Sequence, residues 1–193
     1  MSNLKFALNP STGHERTVQV NYLSTVPLAI LLLLILKAKT AKDEPGRLTI
    51  SNAALTLHAN FPNRHAKRLL PSFDDPKFFD PGEQYSSSKL LAHFFLWELV
   101  EYVSAHDVIM NLADPGFVKG TQLNRNVPGV AVMGLALFGA MAARNVADGA
   151  STYVDGAVGK GRRGESWVFS DGLAGSGVSC NPLCFGLFAN VDY

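Results

Sequence analysis

Residues 26–36, VPLAILLLLIL, are eleven consecutive positions without a charge, hydroxyl or amide side chain. A segment like this has to be covered, and the means of covering it restrict the architecture. As a helix it is about 16 Å long, roughly half of a bilayer's hydrocarbon core. It lies too far along the chain for a signal peptide and lacks a basic start and a small-residue cleavage site. The expectation is a buried core helix, apolar on nearly every face, and no integral membrane span. Lys37, Lys39 and Lys42 collect at its C-terminal end, where cations suit the helix dipole.

The chain has 193 residues, 47% hydrophobic and 17% charged, enough for one domain with a sizeable core. A formal net charge of +1 gives no electrostatic case for nucleic acid or an acidic membrane surface. Cys180 and Cys184 stand in a CxxxC with no second ligand cluster, so no metal site is expected. Sparse cysteine suits a reducing, cytoplasmic setting.

Helical patterning covers residues 15–39, AKDEPG breaks it, and RLTIS (47–51) is a short β-prone run. Residues 60–82 carry Pro62, Pro71, Pro76 and Pro81 and read as a long irregular loop, of the kind that covers a substrate. Residues 84–104 form a helix apolar on several sides, and DVIMNLA (107–113) reads as a buried strand stopped by the turn DPG. A third helical stretch follows at 130–144. Residues 1–160 read as one domain and 161–193 as a glycine-rich divergent tail, whose glycines follow no β-run and are not expected to hold phosphate. Helix and strand alternate, which indicates an α/β fold with three parallel strands flanked by helices.

Four segments then bear on function: VQVNYLSTVPLAILLLL around Asn21, GRLTISNAALTLHA around Ser51, YSSSK from Tyr85 to Lys89, and NLADPGFVKGTQL from Asn111. In this order and spacing, over residues 15–155, the chain resembles the short-chain dehydrogenases/reductases, and most closely fungal members of the retinol dehydrogenase-like type. The resemblance implies a partial doubly wound, Rossmann-type parallel sheet. It also implies NAD(P)H-dependent interconversion of a ketone or aldehyde and an alcohol, with NADP(H) favoured over NAD(H) and a small hydrophobic carbonyl or alcohol as substrate. By analogy the reaction is a tailoring step in fungal secondary metabolism.

On the same resemblance Tyr85 is the acid/base, Lys89 tunes it and holds the nicotinamide ribose, and Asn21 extends the proton relay. Val118 offers backbone groups to the carboxamide and Thr121 a hydroxyl to the amide or the phosphate. The chemistry accounts for the residue types. A carbonyl receiving hydride develops alkoxide charge and needs a proton donor beside it. A free phenol titrates near 10, and an ammonium close by is expected to lower that value. Positions i and i+4 share a helix face, so Lys89 can sit beside Tyr85.

Two features depart from the family. The serine that binds the substrate carbonyl is expected near position 53, which is Ala53; Ser51, two residues earlier, is the remaining candidate for that role. No glycine-rich strand–turn–helix precedes Asn21, so nucleotide binding by these 193 residues is in doubt. An alternative reading follows: an inactive truncated remnant, or an oligomerisation partner. In either reading helices 23–36 and 90–103 are the expected homo-oligomer surfaces, because a sheet lacking its first half exposes a hydrophobic edge.

Overall fold

Parallel strands joined by a helical crossover form the frame of the computed structural model, which describes residues 1–39, 44–121, 143–159 and 167–171, the last by backbone alone. Helix α1 (Arg16–Val18) runs through a π-helical segment (Gln19–Leu23) into α2 (Thr25–Lys39). Pro27 falls in the first turn of α2, where its missing N–H costs nothing. Strand β1 (Gly46–Ser51) leads to a 3-10 turn (Ala54–His58), the short helix α3 (Leu69–Ser72), a second 3-10 turn (Pro76–Phe78) and helix α4 (Pro81–Val100). Strand β2 (Val108–Asp114), helix α5 (Val146–Val154), a π-helical segment (Asp155–Gly159) and strand β3 (Trp167–Asp171) complete the order.

The sheet order is β1-β2-β3, both pairs parallel. Ser51 pairs with Ala113, and Asp114 with Asp171. Every residue of β2 is buried, as a central strand covered on both faces requires. The third strand, WVFSD, lies in the stretch read as a glycine-rich tail. The expected helix at 130–144 falls almost wholly outside the described residues, as do Lys42, Cys180 and Cys184.

Alternation along the strands divides the sheet into two faces. Leu48, Ile50, Val108, Met110 and Leu112 form one core with Ala29 and Leu33 of α2 and Leu96 of α4. Each of the Leu, Ile, Val and Met side chains in it contributes about 1.5–3 kcal/mol. On the opposite face Asn111 donates from Nδ2 to the Gly156 carbonyl at 2.8 Å, so the π-helical segment after α5 lies against the strand.

The expectation for residues 26–36 needs correcting. Only Ala29 and Leu33 of α2 are buried, while Leu31 and Leu34 are 59% and 64% exposed. Residues Arg16–Lys39 form a helical stretch long and apolar enough to cross a membrane by length and composition, yet one stripe of it lies on the sheet. A single layer of sheet covers only one side of a helix, so an all-round apolar sequence leaves its other side open.

The loop before α4 is also more ordered than its prolines suggest. Phe61 and Phe73, with ring centroids 5.9 Å apart, build a second core with Val18, Leu90 and Leu91. Glu15 anchors it from the other side. Its Oε2 accepts from the Thr17 and Val18 N–H groups and from Gln84 Nε2, joining the start of α1 to the first turn of α4.

Candidate active site

Asp80 caps α4, its side chain accepting from the Glu83 N–H at 2.8 Å, and Pro81 fills the first helical position. This start sets Tyr85 and Lys89 in the first turns of α4, beside the C-terminal ends of β1 and β2. Ligands of open α/β sheets bind at such strand ends. Lys89 is buried, and its Nζ donates to the Ser51 carbonyl at 2.8 Å. Tyr85 is half-buried, and among the described residues its hydroxyl makes no hydrogen bond.

The electrostatics differ from the expected tuning of a phenol by its neighbouring ammonium. Burial pushes Tyr85 up to about 12, and the charges of Asp114 and Tyr153 add to the rise. Burial pushes Lys89 down to about 8, opposed by Asp114. The expected lowering of Tyr85 is therefore absent from this arrangement. Desolvation of the phenol outweighs any help from an ammonium that is itself desolvated and bonded to a backbone carbonyl.

Asn21 sits in the π-helical segment, whose widened turn is closed by the Ser24 N–H on the Gln19 carbonyl at 2.8 Å. Such bulges frequently mark functional sites. Its Nδ2 donates to Ser88 Oγ at 2.9 Å, the residue beside Lys89, and to the Met1 carbonyl at 2.8 Å; its Oδ1 accepts from the Met1 ammonium at 2.7 Å. Asn21 thus borders the helix of the pair, with its side chain bonded to Ser88.

Ser51 is exposed, and its hydroxyl lies 2.8 Å from the Tyr153 hydroxyl. Ala53 is buried and precedes the 3-10 turn, whose first N–H, that of Ala54, donates to Asp114 Oδ2 at 2.8 Å.

Val118 forms an isolated parallel bridge with Arg144, in which the Arg144 N–H donates to the Phe117 carbonyl and the Lys119 N–H to the Arg144 carbonyl. The backbone groups of Val118 itself therefore point away from that bridge. Its carbonyl accepts from Thr121 Oγ1 at 3.2 Å, which places both expected cofactor residues in one turn. Gly149 in α5 permits this packing, since a Cβ there would come within 2.5 Å of Val118 Cγ2.

Sequence reasoning missed three participants. Asp114 was legible only as the first residue of a DPG turn. A carboxylate ending an otherwise apolar strand was the available signal. Tyr153 had no local signature, because α5 brings it to Ser51 from 102 positions away.

Glu83 is the third. Its Oε1 accepts from the Phe61 N–H at 2.9 Å and from Ser87 Oγ at 2.7 Å, and its Oε2 from the Asn60 N–H at 3.1 Å. Burial alone would raise this carboxyl, but the bonds from Ser87, Phe61 and Asn60 outweigh it and hold the group below the usual range. The clamp sits where the backbone needs it, for Phe61 has φ of 50°, a left-handed conformation that costs a bulky residue of order 1–3 kcal/mol. Glu83→Ala should lower the unfolding free energy by about 2 kcal/mol, measured by urea denaturation, with Glu83→Gln losing less. An unchanged midpoint in Glu83→Ala would show that the ring packing of Phe61 suffices.

The chain is 62% identical over 162 residues to the short chain dehydrogenase/reductase mfmJ of Annulohypoxylon moriforme, a match covering 84% of this chain and 47% of that protein. It is 36% identical over 161 residues to the short chain dehydrogenase virL of Hypocrea virens, covering 83% and 47% respectively. It is also 36% identical over 174 residues to the short chain dehydrogenase opdN of Penicillium oxalicum, covering 85% and 55%. The chain spans about half the length of the curated relatives it matches. No protein-family model matches it.

Proposed function

The chain belongs to the short-chain dehydrogenase/reductase family of oxidoreductases, and from that premise we propose that its site interconverts a carbonyl and an alcohol on a small hydrophobic molecule. The observation carrying this reading is the juxtaposition of a half-buried Tyr85 and a buried Lys89 at the carboxyl ends of two parallel strands. NADP(H) is the favoured form of the nicotinamide cofactor, and tailoring of a natural product in the cytoplasm the favoured setting.

The donor set fits the nicotinamide–ribose end of such a cofactor. Lys89 Nζ would hold the ribose hydroxyls, with the Tyr85 hydroxyl left for the substrate oxygen, and the Val118 N–H, turned away from its bridge, would meet the carboxamide. When bound, the cofactor supplies or accepts hydride. The protein's part is proton handling: Tyr85 gives its phenolic proton to the oxygen on which negative charge develops, and recovers one by way of Lys89 and solvent. A phenol held near 12 is protonated throughout the neutral range, which suits the reductive direction.

Homo-oligomerisation belongs to the same proposal. The open apolar side of α2, with Leu28, Leu31, Leu34 and Ile35 exposed, is the surface offered to a second copy. In α4, Leu90, Leu91 and Leu96 are already used by the chain's own cores.

The test is consumption of NADPH with a panel of apolar ketones, using a chain lengthened at its N-terminus by the family's glycine-rich unit. Failure to turn over any ketone or aldehyde with either nicotinamide cofactor would sink the proposal. In the same assay Ala53→Ser should raise turnover about 10²-fold, since one added oxyanion donor is typically worth about 3 kcal/mol. Ser51→Ala should be nearly silent, because the Ser51 hydroxyl is engaged with Tyr153. The reverse pattern would make Ser51 the substrate-binding serine.

A further inference from the structure

Gly156, one turn beyond Tyr153, lies so close to the sheet that a Cβ there would come 3.0 Å from Asn111 Oδ1 and 3.1 Å from Thr49 Cγ2. The bond from Asn111 Nδ2 to the Gly156 carbonyl fixes that contact. Thr49 and Ser51 are two positions apart on β1 and therefore share one face of the sheet. A helical segment seated on Thr49 through Gly156 thus presents Tyr153, three positions earlier, to Ser51. The two hydroxyls meet at 2.8 Å. Arg144 steadies the same helix, its Nη1 donating at 3.4 Å to Oγ1 of the buried Thr152.

Ser51 joins this hydroxyl pair to the candidate active site. Its carbonyl accepts from Lys89 Nζ at 2.8 Å, so the pair lies within one residue's length of the ammonium. Ser51 is exposed and Tyr153 half-buried, and neither hydroxyl makes another hydrogen bond to a described residue. Each carries one proton and a single bond joins them, so one O–H and several lone pairs are left over. Solvent satisfies these while the site is open. A substrate lying over the Tyr85–Lys89 end displaces that solvent, and a wholly apolar molecule puts nothing in its place.

We propose that Tyr153 is a specificity-determining residue, which together with Ser51 Oγ receives a second oxygen of the substrate, a hydroxyl set apart from the reacting carbonyl on an otherwise apolar molecule. The inference rests on the reading of the Tyr85–Lys89 end as the place where the carbonyl reacts, and it narrows the substrate class to hydroxylated ketones and aldehydes. The role is distinct from that of the serine expected at position 53, which concerns the reacting oxygen itself. A hydroxyl suits the pair because it can accept the spare proton and donate to a free lone pair. An analogue without it leaves polar groups covered and unanswered, and sites built in this way reject such analogues far more strongly than a missing methylene.

The test is a titration of the 193-residue chain, with ring-labelled tyrosine, followed by NMR. The ligands are a phenyl-substituted butanone beside its para-hydroxyphenyl counterpart, and aliphatic hydroxy ketones of graded length, each beside the parent ketone. The Tyr153 resonance is assigned by its loss in Tyr153→Phe. At least one hydroxy ketone should bind about tenfold or more tightly than its parent and move the Tyr153 resonance. Tyr153→Phe removes one oxygen and keeps the ring, and the preference should fall severalfold. Adding Ser51→Ala should abolish it.

Equal affinities throughout the set overturn the proposal, as does binding of no ketone at all. A preference that is intact in Tyr153→Phe also overturns it, because the oxygen would then be read by Ser51 alone or elsewhere. None of these readouts needs hydride transfer. A Tyr153-dependent preference in a chain that turns over no carbonyl would defeat the proposed reaction and leave this inference standing. Turnover of ketones with and without the hydroxyl, at one affinity, would do the reverse.

Discussion

Tyr85→Phe lowers carbonyl turnover by about 10²-fold or more and leaves cofactor affinity nearly unchanged. The substitution removes a single oxygen, one that makes no hydrogen bond to any described residue, so folding has little reason to suffer. What is lost is the proton donated as the alkoxide forms. Steady-state kinetics in the lengthened, glycine-rich-unit-bearing chain, with cofactor binding followed by fluorescence, separates the two effects. Intact turnover in Tyr85→Phe would remove the catalytic reading of YSSSK. Equal losses in turnover and cofactor binding would instead make Tyr85 a ribose ligand first.

Raising the pH from about 7 to about 9.5 stabilises the folded chain by about 2 kcal/mol through Lys89. The sign follows from where the proton resides. Lys89 is held near 8 in the folded chain and near 10.5 in the unfolded one. Between those values the unfolded chain keeps a proton that the folded chain has released, so stability rises with pH. Tyr85 acts in the opposite sense and higher up, between 10.0 and about 12, where the folded chain keeps the proton and stability falls. Below about pH 10 the lysine therefore dominates.

Lys89→Met should abolish this rise. At neutral pH it should also be more stable than the parent by about 1–2 kcal/mol, after allowance for the lost bond to the Ser51 carbonyl. Urea unfolding of both proteins at the two pH values decides the matter. Parallel pH profiles would mean that burial of this ammonium carries no cost. The expected result is a conflict between activity and stability, because the residue that the proposed reaction needs is one whose removal stabilises the fold.

The sequence revealed most where chemistry and helix period coincide. Tyr85 and Lys89 lie four residues apart on one helix, so their shared face was readable from spacing alone. The buried central strand was legible from its apolar residues on both sides of Asn111, and the parallel sheet from the alternation of elements. The side chain of Asn21 was less readable. A spacing argument brings it near α4 but cannot say that it bonds Ser88.

Three things were decided by the tertiary structure. The third strand is the short segment WVFSD, whose β-forming Trp167, Val168 and Phe169 stand between glycine-rich flanks, and its place in the sheet is set by pairing with β2, which no local pattern records. The exposure of α2 depends on how many layers cover it, a property of the assembled sheet. The protonation of the site depends on burial and on Asp114 and Tyr153, which approach Tyr85 from strand and helix ends remote in sequence. Local sequence determines periodicity, caps and the identity of reactive groups because these act over a few residues. Desolvation and charge act through space, so the balance that makes Tyr85 a weak acid and Lys89 a weakened base exists only once the chain has closed around them.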